Sequence, residues 1–237
     1  ALSLQPGARV HVFEGLSLAD GQPMALFRSV FPAAPFPDLP AALVLLRRLQ
    51  DQTAGAVEAF EYMPRSYIEM HLAQNPAARE PFEAPQEVNL MVEIAASSDR
   101  DAEPGPDGTL PVVSRLEELL ALAMEDGLVL DATLARSEAQ RRETWARREA
   151  AGEVMFHHKP VLDTDIALPL DRLPEFFEAM TAKRIAVDPG ARDTSVAHLG
   201  DGNIHYTLYP SSADPDLVDR LREAVEEVAV GLGGSFS

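Results

Sequence analysis

The stretch from Thr194 to Tyr209, TSVAHLGDGNIHYTLY, leaves the chain little choice of local structure. Two runs alternate apolar and polar side chains and meet at Gly200-Asp201-Gly202, which predicts two antiparallel strands joined by a tight turn. Asp-Gly suits a two-residue type I′ turn, because both central positions want positive φ. With Asp201 and Gly202 at the tip, Gly200 pairs with Asn203, Leu199 with Ile204 and His198 with His205, and the paired imidazoles have Cβ atoms about 5 Å apart. Alternation puts His198, Asn203, His205 and Thr207 on one face, and Ala197, Leu199, Ile204, Tyr206 and Leu208 on the other. The apolar set is the core face. The histidines therefore stand outside it among polar neighbours, spaced so that both rings reach one divalent ion.

Two imidazoles are not a metal site. Catalytic zinc takes at least three protein ligands and keeps an open position, so a third donor has to come from elsewhere. A hairpin whose half-exposed histidines have no chemical role accounts for the same pattern. A phosphate-binding loop does not, since such loops lead from a strand into a helix and Gly-Asp-Gly-Asn leads into another strand.

The rest of the chain repeats one order of elements. Strand-like stretches are Ala8 to Phe13, Ala56 to Met63, Glu87 to Ala95 and Leu128 to Ala132; in the third, Val88, Leu90, Val92 and Ile94 alternate as in a half-buried strand. Asp38 to Thr53 reads as a helix, and Val113, Leu116, Leu119, Leu120 and Ala123 form one apolar helical stripe ending at Gly127. An extra helix fits Arg65 to Ala73. The second half places a strand near Glu153 to Leu162, a helix from Leu170 to Lys183 and the hairpin strands. A last helix has Pro215 at its first position, and Ser235 opens a final strand. Two β-α-β-β-α-β units make an α+β chain of two ferredoxin-like units, antiparallel sheets covered by helices. The expected division is residues 1–135, a connecting helix at 136–152 and a second unit at 153–237, whose last strand is cut short. Residues 97–111, rich in acid, Pro and Gly, read as a mobile surface loop.

Charge narrows the choice of partner. Twenty Lys+Arg against 38 Asp+Glu give a net charge of -18, a field that repels nucleic acid and anionic membrane surfaces. No apolar run approaches the roughly 18 residues needed to span a bilayer. The N-terminus lacks an export signal and the chain has no cysteine, which fits a reducing, cytoplasmic setting. An anionic small molecule needs a local basic exception within this field. In SEAQRRETWARREAAG, a helix capped by Ser137 and Gln140, Glu138 precedes Arg142 by four residues and Glu143 precedes Arg147 by four. Arg148 has no such neighbour. It is the arginine left to grip a carboxylate, although pairing with an acid elsewhere in so acidic a chain serves equally well.

HLGDGNIH at 198–205, WARRE at 145–149 and DIALPLDRL at 165–173 resemble the C-terminal domain of the flavin-linked D-2-hydroxy-acid dehydrogenases. This family includes D-2-hydroxyglutarate dehydrogenase, D-lactate dehydrogenase and the flavin-linked glycolate oxidase. AFEYM at 59–63 is nearest the hydroxyglutarate branch. The resemblance implies FAD, held mainly by a flavin-binding domain that precedes this one, and a divalent metal, usually zinc, on His198 and His205. It implies a third ligand, a glutamate of an Ala-Glu-His-Gly segment following a Gly-Ser-x-Ser strand, so with GGSFS at 233–237 that ligand and the adjacent histidine base are expected beyond Ser237. No catalytic base is expected within the chain, which by itself should be colourless and inactive. Carried over by motif, Arg148 grips the substrate carboxylate, with Asn203 and Thr207 as further substrate contacts; at Thr207 the hydroxyglutarate branch has Asn. Two departures stand out. That branch has Thr where this chain has Gly152, and Lys where it has Asp163, which removes a partner for a distal carboxylate.

The implied activity is oxidation of a small anionic D-2-hydroxy acid to the 2-oxo acid, with hydride passing to FAD. The flavin domain would be the partner within one enzyme, and an oligomer is compatible with it. The competing reading is a non-catalytic ferredoxin-like module that binds a metabolite or partner, its histidines structural.

Overall fold

A computed structural model describes residues 15–19, 22–27, 34–36, 38–96, 98–106, 108–135 and 137–236. The first elements are β1 (Gly15–Ala19), β2 (Gln22–Phe27), β3 (Ala34–Phe36), α1 (Leu39–Gln52), β4 (Val57–Pro64), α2 (Arg65–Gln74), β5 (Val88–Ile94), the short α3 (Asp99–Ala102) and α4 (Pro111–Glu125). Then come α5 (Glu138–Glu149), α6 (Ala151–Phe156), β6 (Leu162–Ala167), α7 (Leu173–Val187), β7 (Arg192–His198), β8 (Asn203–Tyr209), α8 (Pro215–Gly231) and β9 (Ser235–Phe236). Antiparallel strands and helices give the mixed α+β class expected from the element order. Two compact units result, one from Ala1–Phe60 with Pro81–Arg148, the other from Glu61–Glu80 with Glu149–Ser237. Among the described residues no helix is long and apolar enough to cross a membrane.

In the first unit, the side chain of Asp38 caps α1 by accepting from the Ala41 amide at 2.8 Å, with Pro40 in the first turn. Leu39, Ala42, Leu43, Leu45, Leu46 and Leu49 form the buried stripe of α1. The predicted stripe of α4 is buried too, at Val113, Leu116, Leu119, Leu120 and Ala123. Strand order is β3-β5-β4, with β3 antiparallel to β5. All seven residues of β5 are buried, which corrects the half-buried expectation. Its polar members have partners: Asn89 donates to the Gln86 carbonyl at 3.0 Å, and Glu93 receives Arg141 and Trp145.

Three further expectations differ from the structure and one lies outside it. Leu128 to Ala132 is not a strand: Gly127 turns left-handed at φ 72°, and the Leu128 and Val129 amides both close back on the Ala123 carbonyl, occupying donors a ladder would need. Glu153 to Leu162 is not one strand either. Ala151, Val154 and Met155 are buried at helical spacing, which makes α6, and the chain bends through an exposed His157-His158-Lys159 before β6 begins at Leu162. Within the 97–111 loop, Ser98 caps the short helix α3 through the Asp101 amide. The strand expected at Ala8 to Phe13 falls outside the described residues.

The second unit contains the complete β6-α7-β7-β8-α8-β9 order, with strands arranged β7-β8-β6-β9 and antiparallel pairing at each step. The last part of β4 joins β7, with Glu61 opposite His198 and Tyr62 opposite Ala197. One face is the core. Ala197, Leu199, Ile204, Tyr206 and Leu208 are all 1% exposed or less, and Phe176 of α7 meets Tyr206 edge-on at 5.4 Å. Leu217, Leu221 and Val225 of α8 are buried as well.

Candidate functional site

The hairpin forms, in a different register. His198 lies opposite Asn203 and Val196 opposite His205, leaving Leu199–Gly202 as a four-residue connection. The Asp201 and Gly202 amides both donate to the His198 carbonyl, at 3.2 and 3.0 Å, and the Asp201 carboxylate accepts from the Asn203 amide at 3.0 Å. Gly202 has φ 83°, whereas Ala54 is the one non-glycine with positive φ among the described residues; Asp201 therefore lacks the geometry a type I′ turn requires. The register is displaced by two, an even number, so every side chain keeps its expected face. The two imidazoles consequently remain on the same side, 5.9 Å apart between centroids and nearly edge-to-face at 75°.

The polar face contains more than the hairpin supplies. Glu61 projects from β4 beside His198, and its carboxylate oxygens both lie 2.8 Å from the ring Nδ1. Glu61 is 4% exposed, while the His198 side chain is 44% exposed. Asn203 donates to Asp165 at 2.6 Å, and Asp165 lies opposite His205 in the ladder. Thr207 is fully buried and its hydroxyl donates to Asp163. Ser66, in the first turn of α2, shares a 2.8 Å hydrogen bond with Thr194 at the far end of β7. Glu61, Asp163 and Asp165 share this side of the sheet with His198 and His205, and Arg192 follows on it two residues before Thr194.

As a cation site its donor set is incomplete, since no group of three His, Cys, Asp or Glu side chains able to hold a metal ion exists among the described residues. Two imidazoles on one surface, one with Nδ1 tied to a carboxylate, are residues that could hold a divalent ion only together with a further donor.

Sequence reasoning placed His198, His205, Asn203 and Thr207 on one face, and the structure brings them there. It missed Glu61. The signal was a lone carboxylate inside the apolar AFEYM strand, where a buried charge requires a partner. Arg148 lies in the last turn of α5, in the first unit, and is buried and engaged rather than unpaired, which corrects the expectation of a guanidinium without neighbours. Its helix is pinned to β5: Arg141 grips Glu93 through both carboxylate oxygens at 2.9–3.2 Å, and the Trp145 indole donates to the same carboxylate at 2.8 Å. Arg142 reaches Glu138 at 3.8 Å, as the four-residue spacing required.

A cleft of about 480 Å³ elsewhere in the second unit is lined by Ser66, Glu69, His158, Arg184, Arg192 and Tyr209 among others. Its charges are largely committed, Arg184 to Asp193 at 2.8 Å and Glu69 to Arg65 at 2.9 Å, and neither hairpin histidine reaches it.

Residues 28–237 match the family described as FAD linked oxidases, C-terminal domain. The chain is similar to mitochondrial D-2-hydroxyglutarate dehydrogenase of Bos taurus, 28% identical over 206 residues covering 85% of this chain and 34% of that protein. It is similar to D-2-hydroxyglutarate dehydrogenase of Stutzerimonas stutzeri, 26% identical over 181 residues covering 76% of this chain and 36% of that one. The chain thus spans about a third of the length of these relatives. Among solved structures, an alkyldihydroxyacetonephosphate synthase shares the fold, with a TM-score of 0.56 at 11% identity over 88% of this chain and 40% of that one.

Proposed function

Because the chain belongs to the FAD-linked oxidase C-terminal domain family, we propose that it is the substrate-holding part of a flavin-dependent dehydrogenase that oxidises a D-2-hydroxy acid to the 2-oxo acid. A flavin-binding domain of the same enzyme would be its partner, and FAD held there would accept the hydride. The observation that carries the reading is the pair of imidazoles, His198 and His205, presented together on an acidic face.

His198 and His205 supply two ligands for a divalent ion, zinc being suited to imidazole, with the third from outside the described residues. A bound ion there would polarise the hydroxyl and carboxylate oxygens of the substrate and ease loss of the hydroxyl proton. Arg148 is assigned to the substrate carboxylate, where a guanidinium orients by paired hydrogen bonds. Asn203 and Thr207 would be further substrate contacts, and their hydrogen bonds to Asp165 and Asp163 fix them rather than leaving them to rotate. Asp163 places a carboxylate beside Thr207, which disfavours a second acid group on the substrate and favours a monocarboxylic hydroxy acid over 2-hydroxyglutarate. An acidic chain without cysteine suits the cytoplasm as its setting.

The test uses the full-length enzyme with its flavin domain. His205→Ala should lower metal content and turnover of D-2-hydroxy acids together, each by orders of magnitude. Unchanged turnover would remove the histidine pair from the reaction.

A further inference from the structure

We infer that Glu61 is a positioning residue: it holds His198 in the Nδ1–H tautomer and so leaves the ring's Nε2 unprotonated. The inference rests on the cation-binding reading above for its purpose, but its geometry stands independently.

Glu61 and His198 are direct cross-strand neighbours on β4 and β7, so the ladder itself sets their separation. Both carboxylate oxygens lie 2.8 Å from Nδ1. A carboxylate accepts and cannot donate, so a neutral ring at that distance must present its single proton on Nδ1; the opposite tautomer would set lone pair against lone pair. The carboxylate is 4% exposed, whereas the His198 side chain is 44% exposed, so the buried partner of the pair is the glutamate. An Nε2 lone pair is what a divalent ion takes from imidazole, and a carboxylate behind the ring raises its basicity as a ligand.

The neighbouring ring differs. Among the described residues His205 has no hydrogen bond to its imidazole; its contact is the edge-to-face approach to His198. The pair is thus asymmetric, with His198 oriented before any ion arrives and His205 free to adjust. Glu61 itself is not a third ligand in this arrangement, because its oxygens face Nδ1 on the side of the ring away from Nε2.

The experiment is long-range proton–nitrogen NMR on the full-length enzyme labelled with 15N at histidine, at alkaline pH, followed by titration with zinc alone. The expected result for the parent is a His198 ring protonated at Nδ1, with zinc moving the Nε2 signal and leaving the Nδ1 proton in place. In Glu61→Gln the amide can donate as well as accept, so a second tautomer should appear and zinc affinity at His198 should fall about 10–100-fold. A parent ring protonated at Nε2, or a Glu61→Gln chain with tautomer and zinc affinity unchanged, would overturn the inference. The parent measurement needs no variant, so a poorly folded Glu61→Gln leaves the test intact. If zinc moves neither histidine while the parent tautomer is Nδ1–H and shifts in Glu61→Gln, the cation reading fails and the positioning by Glu61 stands.

Discussion

Gly200 and Gly202 flank one aspartate in the loop between the two histidines, and the structure gives them opposite tolerance of a methyl group. At Gly202 the backbone is left-handed, with φ +83°, and an added Cβ would lie 2.1 Å from the Leu168 carbonyl oxygen. That oxygen belongs to backbone, so no rotamer change relieves the clash. The same two residues are joined by a hydrogen bond from the Leu168 amide to the Gly202 carbonyl at 3.0 Å, which holds the loop against the end of β6. The left-handed conformation costs an alanine about 1–2 kcal/mol, and forcing the backbones apart adds roughly 1–3 kcal/mol. Gly202→Ala should therefore lose about 2–5 kcal/mol, a fall in Tm on the order of 10 °C for a chain of this size. At Gly200 nothing lies within 4 Å of the added Cβ and φ is not left-handed. Gly200→Ala should stay within about 0.5 kcal/mol of the parent. Thermal melts followed by far-UV circular dichroism measure both. Equal melting of the two variants would refute the reasoning, because it would mean the loop moves freely off β6.

Glu93→Ala leaves the Arg141 guanidinium and the Trp145 indole without their shared acceptor and should cost about 3 kcal/mol in denaturant unfolding, the low end for a broken buried pair, because the Arg141 side chain is 26% exposed. For Asp188, burial works against ionisation, but hydrogen bonds from Ser211, Gly190 and Ala191 outweigh it and hold the carboxyl below its ordinary value. A carboxyl lowered by folding contributes stability above its unfolded value and loses it as pH falls through the folded one; Asp188→Asn should melt below the parent at neutral pH, with the gap closing below about pH 4. In the full-length enzyme, treatment with a chelator should raise KM for the hydroxy acid as well as lower kcat, and an unchanged KM would show that no cation helps hold the substrate.

What could be read from the amino acids followed from periodicity. The hairpin face survived a wrong turn assignment because an even register displacement cannot exchange faces, so His198 and His205 stayed together although they are not paired. The stripe of α4 and the N-terminal proline of α8 were legible for the same local reason. Residues whose role depends on distant partners were not. Glu61 meets His198 across 137 positions of sequence and Glu93 meets Arg141 across 48, and neither separation leaves a periodic trace. The apolar run at Leu128 looked like a strand because sequence cannot show that Gly127 has already returned its amides to α4.

The charge on the polar face decides what it can hold. At an effective dielectric of roughly 20–80, a carboxylate about 6 Å from an incoming anion opposes it by approximately 0.7–3 kcal/mol. Glu61, Asp163 and Asp165 all stand on this face, within a chain of net charge -18. Their combined repulsion is comparable to the binding energy of a small hydroxy acid at millimolar affinity, about 4 kcal/mol. The imidazoles cannot offset it while neutral. A hydroxy acid therefore needs added positive charge, and a cation on His198 and His205 would supply it. Such a cation uses the acidic surroundings to its own advantage, since the same three carboxylates that repel an anion attract the ion. Two histidines on an acidic face are thus consistent with an anionic substrate when the ion binds first and reverses the local sign.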